Sequence, residues 1–246
     1  MESQFYNKEG LTLLKELEDS TVDLVLTDPP YIISRESGMN NLFNAEDKSK
    51  AKYGDKFAIQ TDYGDWDSKF TLDVLNKFIQ EYYRVLKPGG TCIIFFDLWK
   101  IESLKVLLED SKFYKLRFIE WIKTNPVPIN SKISYLTNSR EIALCCNKKG
   151  KSTFNSKYDN GIYEYPIYQG VRNVDRIHPT QKSLPLFEDI IKKHTNENDI
   201  VLDTFGGSAT TYIACLNSNR TCISSEVDVN YYNKSLNRIK YHMENK

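Results

Sequence analysis

The chain is predicted to fold as an α/β domain on a mostly parallel sheet with right-handed crossovers. Three observations predict this. Short apolar runs alternate with longer runs of helical spacing. Two of the apolar runs end in an acid and a Pro- or Gly-rich corner, Asp28-Pro29-Pro30-Tyr31 and Asp203-Thr204-Phe205-Gly206-Gly207. At 246 residues, the chain holds one such domain with inserted loops and is short for two.

In order, Phe5-Tyr6-Asn7 reads as a short strand, and Leu11, Leu13, Leu14 and Leu17 as the apolar stripe of a helix. The run Val22–Thr27 is a buried strand that delivers Asp28 to the sheet's carboxyl edge. Residues 33–69 show no period and are too long for an ordinary connection, which predicts a mobile functional loop. A helix over 72–86 stops at Lys87-Pro88-Gly89-Gly90, and a strand over 91–96 exits at Asp97. A helix over 101–110 and strands over 116–123 and 141–147 continue the alternation. Asn125-Pro126-Val127-Pro128 and a polar, Tyr-rich stretch to about residue 177 complete this half. A helix over 184–194 leads into the strand before Asp203, followed by a helix over 210–217, a strand over 221–225 and a terminal helix over 230–243.

Lys+Arg and Asp+Glu are both 33, so no global basic signature of nucleic-acid binding exists and any basic surface is local. The cysteines, Cys92, Cys145, Cys146, Cys215 and Cys222, lack C-x-x-C spacing and lie mostly in apolar runs, as buried reduced thiols do. No apolar stretch approaches membrane-spanning length and the N-terminus is unlike a signal peptide, so a cytoplasmic protein without membrane contact is expected.

The residue types at 28–31 suit one chemistry. A carboxylate and prolyl-adjacent carbonyls accept hydrogens from an exocyclic amine, and Tyr31 offers a face for a planar base. Two prolines fix φ and remove two N–H donors, which leaves a stiff corner of acceptors. Downstream, the run ending at Asp203 passes through Phe205-Gly206-Gly207-Ser208 into a helix, as a strand, tight turn and helix N-terminus cradling a cofactor would. Glu226 stands about where a Rossmann unit places its ribose-binding acid. The loop has no Lys and no further Gly for a phosphate cradle, and so suits a nucleoside.

With these motifs placed, the chain resembles the β group of S-adenosylmethionine-dependent DNA amino-methyltransferases. Glu9, Asp28-Pro29-Pro30-Tyr31, 86–90, Trp121-Ile122-Lys123-Thr124-Asn125-Pro126, His178-Pro179-Thr180-Gln181-Lys182, the Gly loop and Glu226 occur in that group's order. The resemblance implies a circularly permuted methyltransferase fold: a Rossmann-like, seven-stranded, mostly parallel sheet with helices on both faces and the last strand antiparallel. It also implies a single catalytic domain over 1–246. S-adenosyl-L-methionine is the implied cofactor, with Asp203, Phe205, Gly206, Gly207 and Ser208 around its methionine part and Glu226 on its ribose hydroxyls. Glu9 is implied at the adenine ring, and Thr180, Gln181 and Lys182 over the methionine carboxylate. His178 is then structural, because transfer from a sulfonium needs no strong base. Thr204 and Ala209 depart from the group's usual Pro and Gly, and a methyl at 209 would crowd the cofactor if that position needs positive φ.

The resemblance implies transfer to adenine N6 of a flipped base in double-stranded DNA, with Asp28, Pro29, Pro30 and Tyr31 catalytic. Cytosine N4, RNA, a protein amide, or a catalytically weak DNA-binding relative are the alternatives. No Pro-Cys pair is present for cytosine-C5 chemistry. A homodimer and a cognate restriction endonuclease belong to the same expectation. Residues 121–177 hold nine Lys/Arg against four Asp/Glu, interleaved with Tyr135, Phe154, Tyr158, Tyr163, Tyr165 and Tyr168, which places target recognition at about 125–177. Lys148, Lys149 and Lys151 are either phosphate contacts or a solvated hairpin turn. Arg35, Lys48, Lys50 and Lys52 mark the loop over 33–69 as one that closes on DNA.

Overall fold

The structure is a computed structural model and describes residues 2–31, 70–128, 132, 134–136, 138–167, 170, 174–178 and 180–245. The expected loop over 33–69, Tyr168 and Pro179 lie outside the described residues. Eight strands form one sheet in the order β1-β8-β7-β2-β3-β5-β4-β6. They are β1 (Gln4–Asn7), β2 (Val22–Thr27), β3 (Leu86–Phe96), β4 (Tyr114–Lys123), β5 (Arg140–Asn147), β6 (Ile162–Tyr165), β7 (Ile200–Asp203) and β8 (Thr221–Glu226). The helices are α1 (Gly10–Glu16), α2 (Leu72–Val85), α3 (Ile101–Asp110), α4 (Leu184–His194), α5 (Thr210–Asn217) and α6 (Val229–Glu244).

The expected alternation is present, and three strand expectations are corrected. The sheet has eight strands rather than seven, because Ile162–Tyr165 in the Tyr-rich stretch pairs with β4 in parallel. The antiparallel member is not the last strand but β5, which runs against both β3 and β4. Lys87-Pro88-Gly89-Gly90 is not a loop after a helix stop. It lies within β3, whose pairing begins at Val22↔Leu86 and shifts register before Leu24↔Thr91.

β2, irregular between Val22 and Leu24 and alternating after it, divides the core. Val22 and Val25 join a cluster with Leu14 of α1, Leu75 and Ile79 of α2 and Leu104 of α3. Leu24 and Leu26 face Phe187, Ile190 and Ile191 of α4 and Ala214 of α5 on the other side. β2 carries only buried apolar side chains at these four positions, as a strand covered on both faces must. It lies between β7 and β3, so the loops leaving β2 and β7 emerge side by side where the chain changes direction across the sheet, the place where doubly wound folds bind ligands. The five cysteines are buried and free.

Candidate active site

A cavity of about 470 Å³ opens at the carboxyl ends of β2, β7 and β8. Every site residue expected from the sequence lines it: Glu9, Asp28, Pro29, Pro30 and Tyr31 from the first half, Thr180, Gln181 and Lys182 before α4, and Asp203, Phe205, Gly206, Gly207, Ser208 and Glu226 from the Gly loop and β8. Residues separated by up to 217 positions thus share one wall.

Asp203 is the hub of the Gly loop. Its carboxylate accepts hydrogen bonds from Thr27 Oγ1 at 2.8 Å, Thr211 Oγ1 at 2.5 Å and the Phe205 N–H at 3.1 Å, tying the β2 exit to the β7 exit. Burial pushes its carboxyl up to about 6, against the opposing effect of these three donors. At Gly206 a Cβ would lie 2.6 Å from both Phe5 Cε2 and Ser224 Oγ, so only glycine brings the backbone this close to β1 and β8. Gly207 has φ +50° and donates its N–H to Glu226 Oε2 at 2.9 Å. Glu226 Oε1 accepts the Asp228 N–H at 2.8 Å, and burial pushes this carboxyl up to about 7 against both donors.

The two departures from the usual Gly-loop pattern have local explanations. The Thr204 hydroxyl shares a buried 2.5 Å hydrogen bond with the Tyr82 hydroxyl of α2, a contact proline could not make. Ala209 does adopt positive φ, +60°, and its methyl is buried with Ile213 and Ile239 rather than among the residues lining the cavity. Two residues that the sequence did not reveal brace the loop from α6. Arg238, fully buried, donates through Nη1 to the Ser208 carbonyl at 2.5 Å, and Ser235 Oγ donates to the Gly207 carbonyl at 2.6 Å.

Three of the expected site residues also have partners within the protein. Glu9 lines the cavity, and its Oε2 accepts the Thr12 N–H at 2.8 Å and caps α1. The Gln181 amide donates to Asp175 O at 2.9 Å and accepts the Ile177 N–H at 3.2 Å. The Lys182 ammonium lies 2.6 Å from Asp28 Oδ2 and 2.7 Å from Glu141 Oε2. Glu141, at the start of β5, is a cavity residue the sequence reading missed. Burial pushes the Asp28 carboxyl above its ordinary value while Lys182 pulls it back; Lys182 and Lys123 outweigh burial at Glu141 and hold it below. Asp28 Oδ1 and the Tyr31 hydroxyl are both buried, and the two side chains face one another. His178 packs on the Tyr231 ring at 4.5 Å, and burial lowers it to about 4, so it is neutral near pH 7, as a structural histidine is.

The recognition stretch divides. Lys148 donates to the Leu86 carbonyl at 2.7 Å and sits over the Tyr83 ring, so it is a structural lysine rather than a phosphate contact. It follows β5, whose opposite end carries Glu141, about 23 Å away at the usual rise per residue. Asn155 is tied to the carboxyl end of α4, and Tyr163 is buried beneath the sheet edge. The chain leaving β4 after Lys123 and the chain leaving β6 after Tyr165 do emerge at the cavity end, since Lys123 pairs with Glu141 and with Tyr165.

The residues present fit a nucleoside sulfonium. A carboxylate stands at the end of β8, Phe70, Phe78, Phe205 and Tyr231 supply apolar walls, and the cavity's one Lys or Arg among the described residues, Lys182, is neutralised by two carboxylates, leaving no counter-charge for phosphates. A doubly wound sheet with such a cavity and an acceptor carboxylate at its switch point defines a nucleoside-dependent group-transfer enzyme. The comparisons make this specific. Residues 22–237 match the DNA methylase family model of N6/N4 type, so the chain belongs to that family and is a methyltransferase that uses S-adenosylmethionine. It is 29% identical to the Type II methyltransferase M2.DpnII of Streptococcus pneumoniae, over 98% of this chain and 93% of the relative. It is 27% identical to M.HpaI of Haemophilus parainfluenzae, over 97% and 74%. The M1.HpyAVI–SAM complex superposes with a TM-score of 0.68 at 30% identity, covering 96% of this chain and 98% of that one. The cytosine-N4-specific PvuII DNA methyltransferase shares the fold, with a TM-score of 0.73 at 18% identity over 99% and 91%.

Proposed function

We propose that this enzyme methylates N6 of an adenine flipped out of double-stranded DNA. The observation that carries the reading is that the Asp28 carboxylate, ion-paired to Lys182, and Tyr31 line one cavity with the Gly loop and Glu226. The hydrogens of an exocyclic amine are donors that this carboxylate accepts. Asp rather than Ser at position 28 favours adenine over cytosine.

The cofactor, when bound, supplies an already electrophilic methyl group. Catalysis by the protein is therefore alignment and charge stabilisation. Glu226 holds the ribose hydroxyls, and the Phe205–Ser208 backbone borders the methionine part. Asp28 Oδ1 and the carbonyl of Pro29 accept the amine hydrogens, which withdraws the nitrogen lone pair from ring conjugation. As the C–N bond formed and the methyl–sulfonium bond broke to leave a neutral thioether, the Asp28 charge would stabilise the positive charge arising on nitrogen, and the surplus proton would leave to solvent. Tyr31 stacks on the base; the Tyr31 ring is already braced edge-on by Phe96 at 6.2 Å. Pro29 and Pro30 keep the corner stiff.

DNA reading is assigned to the segments on either side of β4 and β6 that emerge at the cavity end, within the region 125–177, in one catalytic domain. The relatives' designation as Type II methyltransferases supports a companion restriction endonuclease. A homodimer completes the reading. The test is incubation with labelled S-adenosylmethionine and unmethylated duplex DNA, followed by digestion to nucleosides. N6-methyladenine is expected; N4-methylcytosine would replace adenine by cytosine in the reading, and no labelled nucleoside despite cofactor binding would overturn it. Asp28→Ala is expected to lower turnover by about a thousandfold or more while the fold and cofactor binding persist.

A further inference from the structure

We propose that Lys182, itself held by Glu141 and Lys123, is a positioning residue that keeps Asp28 ionised and fixes the direction of its carboxylate at the cavity. This rests on the reading of Asp28 as the acceptor of the target amine. Four charges from four separate segments form a line: Lys123 Nζ lies 2.6 Å from Glu141 Oε1, Glu141 Oε2 lies 2.7 Å from Lys182 Nζ, and Lys182 Nζ lies 2.6 Å from Asp28 Oδ2. All four side chains are largely removed from water, at 9%, 19%, 8% and 24% exposure in that order. The line sums to zero charge, so the loss of any member leaves a buried charge uncompensated.

Its layout is directional. Lys182 engages Oδ2, and the Tyr31 hydroxyl lies against the same carboxylate. The Lys182 ammonium also lies over the rings of Tyr31 at 5.7 Å and Phe95 at 5.5 Å, which fixes it against the proposed base-stacking side chain. The line thus ends on two residues that line the cavity, Asp28 and Tyr31. The remaining groups facing the carboxylate are the Tyr31 hydroxyl on its own loop and Asp203 on β7. Asp97 at the β3 exit faces Tyr31, and neutral His178 faces Lys182.

The two partners act on Asp28 with opposite sign. Burial and the Glu141 charge favour its protonated form, and Lys182 favours the ionised form. Lys182→Met therefore moves the acid limb of the kcat–pH profile to higher pH. Glu141→Gln removes a negative charge and leaves Lys182 to Asp28 alone, so the limb moves to lower pH. Each displacement is expected to be about one pH unit or more, a tenfold change in the ionised fraction at fixed pH.

The experiment measures these profiles for N6-methyladenine formation in wild type and both variants. In parallel, the Asp28 carboxyl is titrated by carbon-13 NMR in the cofactor-bound proteins without DNA. Opposite displacements support the proposal; displacements of the same sign, or reduced kcat with an unmoved limb and an unmoved carboxyl titration, overturn it. Should Lys182→Met not fold, the near-isosteric Glu141→Gln decides through the sign of its displacement. If wild type forms no N6-methyladenine but the carboxyl titrations split, the adenine reading fails and the charge chain stands. If N6-methyladenine forms and the titrations do not split, the charge chain alone fails.

Discussion

Glu226 carries two backbone N–H bonds and still titrates near 7, because burial outweighs both donors. Ribose hydroxyls donate hydrogens, so under the proposed role of Glu226 the ionised carboxylate is the binding form. As pH falls through about 7 the side chain protonates and one acceptor is lost. S-adenosylmethionine affinity is thus expected to rise with pH up to about 7.5 and then level, weakening by close to tenfold per pH unit well below the transition. Glu226→Gln should bind more weakly with that pH dependence removed, as isothermal titration would read. Glu226 was legible in the sequence because it follows a strand at a recognisable distance from a Gly loop. Glu141 was not. It opens an apolar strand 113 positions after Asp28, and nothing in local spacing says that an antiparallel β5 turns it toward the cavity.

At the scale of the element, the turn into α5 shows a local rule broken at small net cost. Ala209 at φ +60° carries about 1 kcal/mol of steric cost or more relative to glycine. Its methyl is fully buried against Ile213 and Ile239, which returns about 0.8 kcal/mol. The two nearly cancel, so Ala209→Gly should change unfolding free energy by less than about 0.7 kcal/mol, whereas branched Ala209→Val should cost about 2 kcal/mol or more. Chemical denaturation of the two variants distinguishes them; equal losses would show that φ does not govern this position. β3 teaches the converse. Lys87-Pro88-Gly89-Gly90 has the composition of a helix stop, and α2 does end at Val85. Yet pairing of Leu86 with Val22, and of Gly89 and Gly90 with Lys148, recruits the segment into the sheet. Strand partners, which composition does not encode, decide where a strand begins.

Across the whole molecule, β5 carries function at one end and structure at the other. Lys149 and Lys151 follow it at the end remote from the cavity, about 23 Å or more from the acceptor carboxylate. A Lys149→Ala, Lys151→Ala double variant is therefore expected to bind its duplex with affinity within about twofold of wild type and with an unchanged salt slope. A tenfold loss in a fluorescence anisotropy titration would return this turn to the DNA interface. Tyr163 and Lys148, two of the residues that made 121–177 look like one basic aromatic surface, are instead a core side chain and a backbone brace.

The sequence by itself determined the alternating α/β class and picked out Asp28-Pro29-Pro30-Tyr31, the Gly loop and Glu226, which line one cavity. Those are short, contiguous patterns whose chemistry is carried by residue type and spacing. Only the tertiary structure decided that Lys182 pairs with Asp28, that Glu141 and Lys123 stand behind it, and that Arg238 and Ser235 hold the Gly loop. Buried charges seek partners across segments, and which partner they find depends on the order and direction of strands in the sheet rather than on any neighbour in the chain.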